Sequence, residues 1–175
     1  QVEPMDLQRT LRMFDMLVKI GFKEIEVGFP AASQVEYDFL RKLIDEGRVP
    51  DDVTIQVMTP AREELIERTV QSLKGAKRAI VHVYNAVAPV WREVVFGMSV
   101  PQVMQLIERN VRRVRELTDA APETEWVLQY SPETFSLAEL EVSLQACETA
   151  IEAWGAGRPI ILNLPTTVEA ATPNI

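Results

Sequence analysis

Strand-length apolar runs and amphipathic helical stretches alternate along almost the whole chain, and this rhythm constrains the fold more than any single motif. Residues 5–20, MDLQRTLRMFDMLVKI, place Leu7, Leu11, Phe14 and Val18 on one helical face, and Gly21 stands where a helix-ending glycine is expected. EIEVGFP reads as a strand. Ser33 with Glu36 three residues on then forms a capping box for a helix that Gly47 closes. VTIQVMT is the second strand, and Thr59-Pro60 is predicted to open the next helix, with proline in its first turn and Gly75 at its end. AIVHVYN is the third strand. After a longer loop, Ser99 with Gln102 caps a helix through Leu117. EWVLQYS is the fourth strand, Ser136 with Glu139 is predicted to cap a helix to about Ala153, and PIILNLP is the fifth. Alternation of this kind implies an α/β fold with parallel strands joined by right-handed crossovers.

Two architectures fit that rhythm, an open doubly wound sheet and part of a (β/α)8 TIM barrel. Strands covered on both faces read as continuous apolar runs. Here each strand carries polar residues toward its C-terminal half: Glu26, Gln56, His82 with Tyr84, Gln129 with Ser131, and Asn163. Residues two apart face the same side, so these polar tips converge at one rim, where barrel enzymes keep their active sites. No GxGxxG or P-loop follows any strand. The expectation is therefore a partial TIM barrel of about five consecutive β/α units. A closed barrel needs eight strands, and the chain opens on Gln1 and stops at ATPNI. Residues 1–175 accordingly read as a single incomplete domain of something longer, with open sheet edges.

Composition narrows the partners. A formal net charge of −8 argues against nucleic acid and against an anionic membrane surface. No apolar run approaches the length of a membrane span. The single cysteine, Cys147, falls in a helical pattern and reads as core filler in a reducing cytoplasm.

Three segments could carry chemistry. RAIVHVYNAVAP holds the only histidine, His82, and one histidine with one distant cysteine cannot build a zinc site alone. Two readings stay open for His82: a neutral, hydrogen-bonded core residue, or a donor to an anionic or carbonyl oxygen at the barrel mouth. Tyr84 on the same face and Asn85 just beyond favour the second. In QYSPETF, Glu133 is expected just past a strand, after a Ser-Pro that stiffens the turn, as an acid/base group or an exposed loop carboxylate. In ILNLPTTVEAATPN, Asn163 ends a strand, and Pro165, Thr166 and Thr167 make a rigid loop with hydroxyls at the mouth. Thr166 and Thr172 are read as turn residues. Glu26 faces inward and needs water or a cationic partner. In WREVVFG, Trp91 and Phe96 read either as a pocket cover or as an apolar loop on the rim.

GFKEIEVGFPAAS, AIVHVYNA, QYSPETF and ILNLPTTVEAATPN together resemble the 2-isopropylmalate synthases, in the branch found in actinobacteria and fungi, in order and over essentially the whole chain. Homocitrate and citramalate synthases share that barrel and are the nearest alternatives; a non-catalytic interaction module is another. The resemblance implies strands two to six of the barrel, with strand one, strands seven and eight and a C-terminal regulatory domain outside the chain. It implies an acyltransferase of leucine biosynthesis that condenses acetyl-CoA with 2-oxoisovalerate and hydrolyses the thioester. A divalent metal (Mg, Mn or Zn) holds the oxoacid in that family, on an aspartate and two histidines that lie beyond both ends of this chain. No metal ligand is therefore expected within it, and the isolated chain is expected to be inactive. By the same resemblance His82 and Tyr84 line the oxoacid and metal pocket. Ser131 and Glu133 stand near the acetyl group, with Glu133 in the proton-transfer network. Asn163, Pro165 and Thr167 surround the oxoacid, Thr167 holding its carboxylate, and Met58 walls the branched side chain. The parent enzyme is expected to be a cytoplasmic homodimer.

Overall fold

The structure, a computed structural model, describes residues 5–168. Gln1 and Thr172, both weighed above, lie outside the described residues.

Five parallel strands form one sheet in the order β1-β2-β3-β4-β5: β1 Glu24–Gly28, β2 Thr54–Pro60, β3 Arg78–Ala86, β4 Glu125–Glu133 and β5 Ile160–Leu162. The helices are α1 Leu7–Ile20, α2 Gln34–Asp45, α3 Glu63–Ser72, α4 Val100–Asp119 and α5 Leu140–Trp154. Spatial order follows chain order without a reversal. A doubly wound sheet needs a reversal to place helices on both faces, whereas sequential winding keeps them all on one side, as in a sector of a TIM barrel.

Register and burial agree with that sidedness. Ile25, Ile55, Val57, Ala79, Val81, Val83, Leu128 and Tyr130 occupy one face and pack with helix residues such as Phe14, Leu40, Ile66, Ile107 and Ala150 in a single core. The alternate residues form the other face in register rows. Met58 stands beside His82 and His82 beside Gln129, while Pro60 stands beside Tyr84 and Tyr84 beside Ser131. The carbon-rich face lies under the helices, and the polar face looks into the barrel.

Most helix ends follow the sequence signals. Gly21 takes φ 109° and its N–H reaches back to Leu17 and Val18. The Ser33 hydroxyl accepts from the Glu36 N–H at 3.2 Å. Ser99 and Gln102 complete a reciprocal capping box.

Two helix starts differ from expectation. Thr59 and Pro60 do not open a helix; they finish β2, and α3 begins at Glu63. Pro60 is tolerated there as the last residue of its strand, where a missing N–H costs little. Ser136 does not cap α5. Residues Phe135–Leu137 make a short 3-10 turn, the Ser136 hydroxyl donates to the Val168 carbonyl at 2.6 Å, and α5 starts after Glu139. The loop after β3 also carries regular structure, a π-helical turn over Val90–Val95.

Candidate active site

At the C-terminal ends of β2, β3 and β4 and the segment after β5, a cavity of about 240 Å³ is lined by Met58, His82, Tyr84, Ser131, Glu133, Asn163, Pro165 and Thr167. Eight of the nine residues singled out from the sequence thus meet around one space. The strand ends bring them there because the parallel register stacks alternate residues of neighbouring strands side by side.

Glu26, the ninth, does not line this cavity. Its carboxylate instead accepts from Gln56 Nε2 at 2.6 Å and lies 3.4 Å from His82 Nδ1. On its far side the imidazole meets Ser131, Nε2 to Oγ at 2.6 Å, and Asn163 Nδ2 donates to the same hydroxyl oxygen at 2.7 Å. One hydrogen-bonded ladder therefore runs from Glu26 on β1 through His82 on β3 and Ser131 on β4 to Asn163, which lies just past the end of β5 rather than ending the strand. The hydrogen bond with His82 holds the Glu26 carboxyl below its usual range, against the opposing effect of burial. A carboxylate beside a bare Nδ1 lone pair would repel it, so the ladder favours the proton on Nδ1. The Ser131 hydroxyl then donates to Nε2. His82 is 7% exposed, which sets it at the boundary between core and cavity, satisfied on both nitrogens.

Tyr84 and Glu133 differ from that ladder. Burial, then the nearby Glu133 charge, raises the Tyr84 phenol above its usual range and keeps it a donor. Burial alone raises the Glu133 carboxyl, and no hydrogen bond engages that carboxyl among the described residues. Glu133 also lies within the sheet rather than past it: β4 runs through Ser131 and Pro132, and Glu133 is its last residue, beside Ala86. Pro132 extends the strand instead of turning it.

Thr134, next in the chain, is a residue that sequence reasoning missed. It is the one non-glycine residue with positive φ (64°) among the described residues, a conformation that costs a β-branched residue about 1–3 kcal/mol. Three bonds hold it. Its N–H donates to Thr167 Oγ1 at 3.2 Å, its hydroxyl accepts from the Ala88 N–H at 3.1 Å, and that hydroxyl donates to the Glu133 carbonyl. The strained turn aims the chain out of β4 directly after Glu133 and ties Thr167 to the site. No composition or spacing signal marks it.

The π-helical turn contributes a second missed residue. Arg92, 4% exposed, forms paired bonds to Glu139 at 2.7 and 2.5 Å and donates to the Val87 carbonyl at 2.9 Å. Of the two aromatic residues on this loop, Phe96 lines a second cavity. Trp91, 39% exposed, lines none of the cavities described here.

Among the described residues no cluster of three or more His, Cys, Asp or Glu side chains could hold a metal. Glu26 and His82 are engaged with each other, so the donor set does not by itself fit a metal ion. Among the same residues no helix is long and apolar enough to cross a membrane. Cys147 is buried and free, packed in the core.

The chain has close relatives among known proteins. A 2-isopropylmalate synthase of Herbaspirillum seropedicae is 62% identical over 99% of this chain and 30% of its own length. Those of Cupriavidus taiwanensis and Parvibaculum lavamentivorans are each 57% identical over 99% of the chain and 31% of their own. The chain thus spans about 30% of the length of these curated relatives. The HMGL-like family model matches residues 1–175. With that match running through every strand that feeds the cavity, the chain belongs to the HMGL-like family.

Proposed function

We propose that this chain is a sector of a 2-isopropylmalate synthase barrel, serving the condensation of acetyl-CoA with 2-oxoisovalerate. The observation that carries the reading is the convergence of Met58, His82, Tyr84, Ser131, Glu133, Asn163, Pro165 and Thr167 on one cavity. The relatives, which are 2-isopropylmalate synthases, supply the reaction. In it a methyl proton leaves acetyl-CoA, the resulting carbanion bonds to the keto carbon of the oxoacid as the C=O π pair moves to oxygen and that oxygen takes up a proton, and water cleaves the thioester to release CoA.

The residues divide the work by chemistry. Glu133 carries an unpartnered carboxyl that burial raises above its usual range, which suits it to taking up a proton from the substrate. Tyr84 and the His82–Ser131–Asn163 ladder present fixed dipoles to the oxoacid oxygens, and Thr167 offers a hydroxyl to its carboxylate. Met58 and Pro165 give an apolar wall for the branched side chain, where each methylene is worth about 1–3 kcal/mol of discrimination. A divalent metal (Mg, Mn or Zn) belongs to the reaction as a Lewis acid, held by residues of the complete enzyme outside this segment. The reading carries with it a cytoplasmic homodimer acting on small molecules. The 175-residue segment forms a single incomplete barrel domain that is inactive by itself.

The test replaces the matching segment of the Herbaspirillum seropedicae relative with this chain and measures CoA release. Turnover with 2-oxoisovalerate is expected to exceed that with pyruvate or 2-oxoglutarate. A preference for either of the latter would move the assignment to a citramalate or homocitrate synthase. Glu133→Gln in the same chimera is expected to lower kcat about 10²–10⁴-fold with little change in KM for the oxoacid.

A further inference from the structure

The Glu133 carboxyl has no hydrogen-bond partner among the described residues, so its direction is inherited from its own backbone. What fixes that backbone is the turn immediately after it. Two donors hold the Glu133 carbonyl, the Val87 N–H at 3.0 Å and the Thr134 hydroxyl. The Thr134 oxygen in turn accepts from the Ala88 N–H at 3.1 Å, and the Thr134 N–H donates to Thr167 Oγ1 at 3.2 Å. The loop leaving β3, the end of β4 and the segment after β5 are thus tied at one residue that is 1% exposed.

The residue type at this knot is informative. Every other positive-φ position among the described residues is a glycine, which takes that conformation without a steric penalty. A turn that needed only its backbone shape would carry glycine here as well. Threonine bears the strain, so its contribution comes from the side chain, through the bonds to Ala88 and Glu133. Thr167 gains a direction from the same residue. Its oxygen is occupied by the Thr134 N–H, which leaves its own proton for an acceptor in the cavity that Thr167 lines.

We propose that Thr134 is a positioning residue whose side chain sets the spacing between the Glu133 carboxyl and the Thr167 hydroxyl. It acts through these two neighbours, which line the mouth cavity while Thr134 itself does not. The inference rests on the reaction proposed above, in which Glu133 takes the methyl proton and Thr167 holds the oxoacid. One side chain then fixes where the proton leaves relative to where the new carbon–carbon bond forms.

Amide hydrogen exchange on the 175-residue chain tests the knot without any turnover. Thr134→Val keeps the branched shape and removes the hydroxyl. It is expected to speed exchange at both position 134 and Ala88 at least tenfold, whereas Thr134→Ser keeps both slow. Faster exchange at Ala88 alone would show that the hydroxyl does not govern the bond to Thr167, and would overturn the proposal. In the Herbaspirillum seropedicae chimera, Thr134→Val is expected to lower kcat about 10–100-fold. The isotope effect with methyl-deuterated acetyl-CoA should rise at the same time, since proton removal becomes the slow step, and Thr134→Ser should restore both. Thr134→Gly removes the hydroxyl and the strain together, which keeps the test open if the valine variant does not fold. A purely structural residue would leave this variant with its urea midpoint and its kcat intact; the proposal expects an unimpaired midpoint with kcat lowered at least tenfold. Parent-like kcat and isotope effect in the glycine variant would overturn it. A chimera that releases no CoA before any substitution counts against the synthase reading, and the exchange result then decides the knot by itself.

Discussion

Glu26 and Glu133 are carboxylates with opposite surroundings, and their effects on stability run in opposite directions with pH. The Glu26 carboxyl is held low chiefly by its hydrogen bond with His82. Its stabilising contribution is therefore present above the ordinary glutamate range and lost as pH falls through the lower folded value. The side chain is 40% exposed, so solvent screening limits that contribution to about 1 kcal/mol or less. Glu26→Gln is expected to lower the urea midpoint at pH 6 and to converge with the parent chain toward pH 3. It should also move the 15N shift of Nδ1 on the single imidazole, a change that a purely packing role would not produce. For Glu133 burial raises the carboxyl, so the folded state loses stability as pH rises through that value. Glu133→Gln should accordingly be neutral or stabilising at pH 7 in the chain while turnover of the chimera falls, the trade expected of a group kept for chemistry. His82, Tyr84 and Ser131 were legible in the sequence because strand alternation sends residues two apart to the same side, whereas Met58 was named only through the resemblance. The partner of Glu26 was not legible, since the register between β1 and β2 shifts after Glu26 and the bond to β3 passes over an intervening strand. Thr134 was hidden for a different reason: a threonine with positive φ runs against its own propensity.

At the scale of elements, the π-helical turn Val90–Val95 and the start of α5 are fastened by a single ion pair, Arg92–Glu139. The guanidinium is buried and the carboxylate is 44% exposed, so losing the two partners has unequal consequences. Removing the carboxylate leaves the buried cation with only the longer contact to Glu93, 3.5 Å away and largely exposed, whereas removing the cation leaves a carboxylate that water can reach. Glu139→Ala is expected to cost about 3 kcal/mol, and Arg92→Met about 1 kcal/mol; paired denaturation curves and the double variant measure both. The hydrogen bonds to Arg92 lower the Glu139 carboxyl to about 2. The pair's contribution is thus complete above the ordinary glutamate value and fades as pH drops toward 2. The two misplaced helix starts share a cause with this anchor. Thr59-Pro60 and Ser136 with Glu139 carry local signals for a helix N-terminus, but tertiary contacts claim them first. β2 extends through Pro60 alongside Tyr84, and Ser136 spends its hydroxyl on Val168. Where no tertiary partner competed, as at Ser33 and Ser99, the local signal matched the structure.

At the scale of the molecule, the sheet has two open flanks among the described residues. Beside β1, α1 and the following turn expose Met13, Met16, Ile20 and Phe22; beside β5, Leu140, Leu144, Leu162 and Leu164 are exposed. β1 and β5 are the terminal strands of the sheet among the described residues. Unpaired edges flanked by exposed apolar side chains invite pairing with other chains. Sedimentation velocity of the 175-residue chain is expected to show concentration-dependent association in the micromolar range. Met16→Lys with Leu144→Lys should shift the distribution toward monomer, and a monodisperse monomer for the parent chain would contradict the expectation. The alternation of strands and helices announced the barrel sector because periodicity reports which side of each element is apolar. The two open flanks were also foreseen from five strands, though the side chains that line them emerge only once the helices are placed.

Sequential winding has one more consequence. Since helices cover one surface of the sheet and substrates would meet the other, natural variation can act on the two almost independently. A change at Met58 or Pro165 can retune which molecules enter while leaving the carbon layer beneath α2 to α5 intact. Such a sheet lets an ancestral scaffold acquire a new diet without first learning to fold again.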